Sequence, residues 1–204
     1  MTVQDPISEV NLTVFNSRWL HDRHVIPVGE SIPIHCEVSD GTSVYFRVYY
    51  DTERSPKVYK EYPSKRRPTG GAFTTLTHTF KSKGTYNVTV VGKNLISRNS
   101  SWIVLQAQEN IQGLSLAMPG YTVTRESFDL SFRLVKGSNV TYFVNFGDGS
   151  PNVTTMATWL SHTYKSARVS IVTLTASNQL STVTIQKTVV TQNRIHGLKF
   201  TKVI

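Results

Sequence analysis

Leu76-Thr77-His78-Thr79-Phe80-Lys81-Ser82 returns, 84 residues further on, as Leu160-Ser161-His162-Thr163-Tyr164-Lys165-Ser166. Self-similarity at a fixed spacing makes the chain two copies of one unit. The spacing holds downstream: Val88 and Val90 return as Val172 and Leu174, Asn94 as Asn178, and Ser97 as Ser181. Ile111-Gln112-Gly113-Leu114 likewise returns as Ile195-His196-Gly197-Leu198. Upstream, Val44-Tyr45-Phe46 matches Thr141-Tyr142-Phe143 at a spacing of 97, which gives the first copy about 13 extra residues. These fall between Asp51 and Gly71, where Pro56, Pro63, Pro68 and the Gly70-Gly71 pair predict an extended loop or edge ribbon.

Both copies read as strands. In the second, short runs rich in Thr, Val, Ile and aromatics cover roughly 112–117, 127–134, 139–146, 158–164, 169–177 and 182–190. Turn residues separate them, which predicts an antiparallel sandwich, and no segment keeps a helical apolar period. Tyr86, Val88 and Val90 are expected to face the core, with Asn87 and Thr89 outward. Val169, Ile171 and Leu174 alternate imperfectly, so a bulge or register adjustment is expected there. At 204 residues the chain is too long for one sandwich of about 100 residues and suits two. The expected boundaries are residues 1–108 with the inserted segment near 52–71, residues 109–192, and a linker or the start of a next domain over 193–204.

Composition narrows the class. Only 17% of residues are charged and 39% are hydrophobic, which argues against disorder and coiled coil. The net charge of +9 permits a polyanionic partner, but no nucleic-acid recognition motif accompanies it. The one cysteine, Cys36, excludes an internal disulfide and lies in the apolar run Ile32–Val38, so it reads as a small buried core residue. No run of about 18 apolar residues is present, so no direct membrane insertion is expected of this stretch. Residues 1–9 have neither a basic nor an apolar region of the signal-peptide kind. An extracellular chain of this sort is expected to be a piece of something larger.

Tyr142-Phe143-Val144-Asn145-Phe146-Gly147-Asp148-Gly149-Ser150, then His162-Thr163-Tyr164, then Leu174-Thr175-Ala176-Ser177-Asn178, resemble the PKD (polycystic kidney disease) domain. Its hallmarks are a Tyr-x-Trp-Asp-Phe-Gly-Asp-Gly strand and turn, a His-Thr-Tyr segment and a Val-x-Leu-x-Ala-x-Asn strand. Tyr142, Phe146, Gly147, Asp148, Gly149, His162, Tyr164 and Asn178 carry the likeness. The departures are Val144 in place of Trp, Asn145 in place of Asp, and Tyr50-Asp51-Thr52 in place of the first copy's Gly-Asp-Gly turn. The resemblance implies an all-β fold of two tandem immunoglobulin-like antiparallel sandwiches without a disulfide. The Ala-x-Asn ending followed by Ile/Val-x-Gly-Leu looks like the polycystin-1 group. That implies the extracellular part of a large multi-pass protein of the plasma or ciliary membrane, acting with a calcium-permeable polycystin-2-like channel subunit. The competing reading is a glycan- or matrix-binding accessory module of a secreted protein.

The candidate sites are few. Gly147-Asp148-Gly149 is a cation seat or a tight turn, and a single carboxylate without spaced partners favours the turn. His78 and His162 recur at equivalent positions in different copies, so a shared metal requires the copies to fold back on each other. No catalytic motif is present, so no enzyme, cofactor or metal is expected. Asn11, Asn87, Asn99, Asn139 and Asn152 head Asn-x-Ser/Thr sequons, which suit passage through the secretory pathway. Asn87 and Asn139 are expected on the outward parity of strands. Lys57, Lys60, Lys65, Arg66 and Arg67 in the inserted segment, with Tyr59 and Tyr62, form the candidate surface for a protein ligand, the extracellular matrix or a sulfated glycan.

Overall fold

The computed structural model describes residues 4–20, 23–52, 59–66, 70–195 and 197, with side chains except at Leu20, Asp51, Thr52, Tyr59 and Lys60. The chain divides into two compact units, Met1–Glu109 and Asn110–Ile204. The first contains β1 (Val10–Val14), β2 (Arg18–Leu20), β3 (Arg23–Pro27), β4 (Ser31–Val38), β5 (Tyr45–Thr52), β6 (Tyr59–Pro63), β7 (Lys65–Arg66), β8 (Ala72–Thr79), β9 (Gly84–Lys93) and β10 (Arg98–Gln108). The second contains β11 (Ser115–Ala117), β12 (Tyr121–Val123), β13 (Ser127–Arg133), β14 (Thr141–Asn145), β15 (Val153–Thr155), β16 (Trp159–Thr163), β17 (Arg168–Ser177) and β18 (Thr182–Gln192). The short edge strands β12 and β15 were not among the runs expected from sequence. No helix among the described residues is long and apolar enough to cross a membrane.

Each unit is a two-sheet sandwich. The first stacks the order β1-β4-β8-β7 on β2-β3-β10-β9-β5-β6, and the second stacks β11-β13-β16 on β12-β18-β17-β14-β15. Pairing is antiparallel except between β3 and β10 and between β12 and β18, where an early strand lies parallel to the unit's last strand. Period-2 alternation builds each core. β4 buries Ile32, Ile34, Cys36 and Val38, which meet Phe46, Val48, Val88, Val90 and Leu105 from the facing sheet. β13 buries Phe128, Leu130 and Phe132, which meet Tyr142, Val144, Val172, Leu174 and Ala176. A fully buried side chain of this kind contributes about 1.5–3 kcal/mol. Burial pushes the thiol of the free Cys36 up to about 12, so it stays a neutral packing group. Val88 and Val90 are fully buried, Tyr86 packs against the same core, and Asn87 is exposed.

The ladders relate the copies more finely than the letters do. Phe46 pairs with Gly92, and Tyr142 pairs with Ala176, which lies 84 residues beyond Gly92. Phe46 is therefore the counterpart of Tyr142, at a spacing of 96, not 97, and the insertion is 12 residues. A one-residue slip reverses every side chain in a strand. Phe46, Val48, Tyr142 and Val144 are all buried, whereas Tyr45 and Phe143 are not. The match at 97 joined two Tyr-Phe pairs of opposite parity. The counterpart of Phe146 is then Tyr50, and Gly147-Asp148 is replaced by Asp51-Thr52, where β5 simply continues.

One further expectation changes. β17 pairs residue for residue with β18 from Arg168↔Thr191 to Ser177↔Thr182, so it has no bulge. Val169 and Ile171 instead face outward, at 64% and 52% exposure, while Ser170 takes the core position. Ile111 is buried in the second unit's core. The inserted segment supplies two edges: β6 extends the larger sheet beside β5, and β7 extends the smaller one beside β8. Between them the Ser64 hydroxyl donates to the Val44 carbonyl.

Candidate functional site

The second unit's bend after β14 is built by glycine. Gly147 and Gly149 have φ of 71° and 84°, the left-handed region that glycine enters freely. A Cβ on Gly147 would lie 2.5 Å from the Ile171 carbonyl oxygen. The bend aims Asp148 inward. One carboxylate oxygen accepts from the Ser150 N–H at 3.0 Å and the Ser150 hydroxyl at 2.6 Å, and the other lies 2.9 Å from His162 Nε2. Burial alone would raise the Asp148 pKa, but the Ser150 and His162 hydrogen bonds outweigh it and hold the carboxyl at about 2. The His162 ring stacks on Phe146 at 3.7 Å between centroids, and the Tyr164 hydroxyl donates to the Phe146 carbonyl at 2.9 Å. Both oxygens of this carboxylate are engaged within the protein. No group of three or more His, Cys, Asp or Glu suited to a metal occurs among the described residues. In the first unit, His78 stacks on Tyr50 at 3.8 Å, so the aromatic half of the arrangement recurs.

A second constellation recurs whole. Asn178 Nδ2 donates to the Ser138 carbonyl, while its Oδ1 accepts from the Leu180 and Ser181 N–H groups. Ser181 Oγ in turn accepts the Ile111 N–H at 2.8 Å. In the first unit Asn94 donates to the Asp5 and Thr42 carbonyls and accepts from the Ile96 and Ser97 N–H groups, and Ser97 Oγ accepts the Ile7 N–H at 2.8 Å. Each Asn–Ser pair thus clasps the unit's first buried residue to its last hairpin. The sequence showed that these residues recur but not that they join the two ends of a unit. Ile111 corresponds here to Ile7. Ile195 is 80% exposed.

The five sequon asparagines are all exposed. Asn139 does not lie in a strand; it precedes β14 with φ of 52°, a conformation Asn tolerates. Asn99 Nδ2 donates to the Ser8 carbonyl, and Asn152 Oδ1 accepts from Asn145. Of the inserted basic residues, Lys65 and Arg66 are exposed on β7. Lys57, Arg67 and the Lys60 side chain lie outside the described residues.

A second basic surface was missed by the sequence reading. Arg125, Lys165 and Arg194 line a cleft of about 480 Å³ with Glu126, and Lys165 and Arg168 line a neighbouring hollow of about 400 Å³. Three separate turns bring these cations together. The Arg125 N–H donates to the Tyr164 carbonyl, and Thr124 bonds Gln192 and Asn193. Glu126 pairs with Arg194, and Asp148 is committed to Ser150 and His162.

Comparison with known proteins bears on what such a pair of sandwiches is. The model of the family described as PKD domain matches residues 19–107 and, separately, residues 113–191. Among solved structures, the D1–D4 ectodomain fragment of ICAM-5 is similar at 16% identity and a TM-score of 0.65, covering 91% of this chain and 54% of that one. A three-immunoglobulin-domain structure of titin I67–I69 is similar at 14% identity and a TM-score of 0.50, covering 83% of this chain and 62% of that one. At such identities the likeness is one of fold: an immunoglobulin-like arrangement repeated in tandem.

Proposed function

The chain belongs to the PKD domain family, and we propose that it is an extracellular structural and adhesive segment that spaces other parts of a larger membrane protein and carries tension between them. The observation that supports this most directly is the pairing of terminal strands. In each unit an early strand runs parallel to the last one, as β3 does to β10 and β12 to β18. Pulling the chain ends apart slides parallel partners past each other, so several hydrogen bonds bear load together instead of opening one by one. The Asn–Ser clasp adds a further tie at the entry of each unit. Resistance to forced unfolding is set by the unfolding rate, which such contacts slow.

The finer form of this proposal is a polycystin-1-like receptor at the plasma or ciliary membrane, working with a polycystin-2-like channel subunit and sensing a protein ligand or force. The Ala-x-Asn ending of β17 and the five sequons favour it, and it gives this segment no catalytic role. The test is single-molecule stretching of the 204-residue chain between handles. Two unfolding events are expected, each releasing about 3.3–3.6 Å of contour per residue unfolded. Asn94→Ala should lower the force of one event and leave the other unchanged. A chain that extends smoothly without force peaks would refute the load-bearing role.

The glycan- or matrix-binding reading draws on a different observation, the basic surface of Arg125, Lys165 and Arg168. Retention on immobilised heparan sulfate at physiological salt, lost when these three become Ser or when Lys57, Lys60, Lys65, Arg66 and Arg67 do, would move the assignment to that reading and identify the surface responsible.

A further inference from the structure

The outer face of the first unit's larger sheet combines a sequon with an exposed aromatic side chain. Asn87 on β9 pairs with Val104 on β10, and Thr89 pairs with Trp102 on one side and Tyr49 on the other. Residues opposite or diagonal on one face lie within about 4.5–8 Å at Cβ, so Trp102 and Tyr49 are the diagonal neighbours of Asn87. Trp102 is 64% exposed in mid-strand, and Val104 and Tyr49 are half-buried beside it. The second unit provides the comparison. Carried along the ladders, Asn87, Trp102, Val104 and Tyr49 become Ile171, Gln186, Thr188 and Asn145. At these positions the sequon and the exposed aromatic occur together in the first unit, and neither stands at the counterparts in the second.

We propose that Asn87 carries an N-linked glycan whose first sugars pack against Trp102, so that carbohydrate covers this part of the first unit's outer face. The inference rests on the extracellular reading above. Asn87 is exposed and outward, with Thr89 completing the sequon one step along the same face, so an oligosaccharide leaves the sheet without displacing core residues. N-acetylglucosamine presents axial C–H groups and an acetyl methyl on one side of its ring. An indole is the side chain best suited to take that face, because its area is large and its conformational cost small. The second unit's outer face instead presents Val169, Ile171 and Tyr121, with no sequon on it at Ile171.

The test secretes the whole chain from human cells in a Trp19→Phe, Trp159→Phe background, which leaves Trp102 as the only indole. Site occupancy is read by glycopeptide mass spectrometry and the exposure of Trp102 by acrylamide quenching. Asn87 is expected to be occupied, with a quenching constant roughly twofold lower than in the Asn87→Gln variant, because the sugar covers one face of the ring. Asn99→Gln removes a different sequon and should leave the quenching unchanged. Occupancy at other sequons with Asn87 bare, or equal quenching with and without the Asn87 glycan, overturns the inference while leaving the extracellular reading intact. A secreted chain with no sequon occupied overturns both.

Discussion

Asn94→Ala tests whether the Asn–Ser clasp holds a unit shut. The side chain is 8% exposed and makes two donor bonds, to Asp5 O at 2.8 Å and Thr42 O at 3.1 Å. Its Oδ1 accepts from the Ile96 N–H, the Ser97 N–H and the Ser97 hydroxyl at 3.2, 2.9 and 3.0 Å. Alanine leaves the two carbonyls and two amides without these partners. A group left unsatisfied costs about 1–3 kcal/mol when buried and less when water reaches it. Leu95 and Ile96 are 89% and 60% exposed, so water can serve the amides of the hairpin. The carbonyls then carry most of the penalty, and the sum is roughly 3 kcal/mol. For a unit of this size that corresponds to a fall of about 12 °C or more in Tm. Differential scanning calorimetry of the full chain is the assay, with the second unit's transition as internal reference. Asn178→Ala, where the residue is only half-buried, should cost the second unit less. A loss below about 0.5 kcal/mol for Asn94→Ala would mean the clasp is incidental to closure.

Two further outcomes follow from the second unit's bend. The Asp148 carboxyl is held at about 2 against an ordinary value of 3.8, so it stabilises the folded unit above the unfolded-state pKa, and that stabilisation is lost as pH falls from about 4 through 2. Urea titrations between pH 5 and 2 should show the wild type losing about 2 kcal/mol more than Asp148→Asn, and parallel pH profiles would contradict this. Gly147→Ala and Gly149→Ala both force alanine to positive φ, but only the first places a Cβ against backbone, at 2.5 Å from Ile171 O. Gly147→Ala should cost about 2–4 kcal/mol and Gly149→Ala about 1 kcal/mol, and equal losses in denaturant titration would show that the contact with β17 is not the constraint.

The sandwich was legible because its signals are local. Alternation such as that in Ile32, Ile34, Cys36 and Val38 writes the inward face directly into the chain. Register was less legible, because two aromatic pairs one residue out of phase look alike as letters. Only the partner strand distinguishes them: Gly92 under Phe46 and Ala176 under Tyr142 fix the parity that Tyr45 and Tyr142 obscured. Val169 and Ile171 misled for a related reason. β-branched residues suit a strand on either face, so their apolarity does not report burial when the core position between them is held by Ser170.

The candidate sites divide along the same line. The inserted basic run is visible because its residues are neighbours in sequence. The cluster of Arg125, Lys165, Arg168 and Arg194 is not, since it draws on three separate turns and only Lys165 and Arg168 are near each other in sequence. What unites those residues is topology. β12 and β18 are parallel, so the turn after β12 and the exit from β18 lie at the same end of the sandwich, and the Arg125 N–H ties that end to the turn before β17. The same parallel pairing on which the load-bearing proposal rests therefore also gathers cations where the chain leaves the unit. Load and ligand would meet at one end of the fold, so a polyanion bound there should raise the force at which the second unit opens.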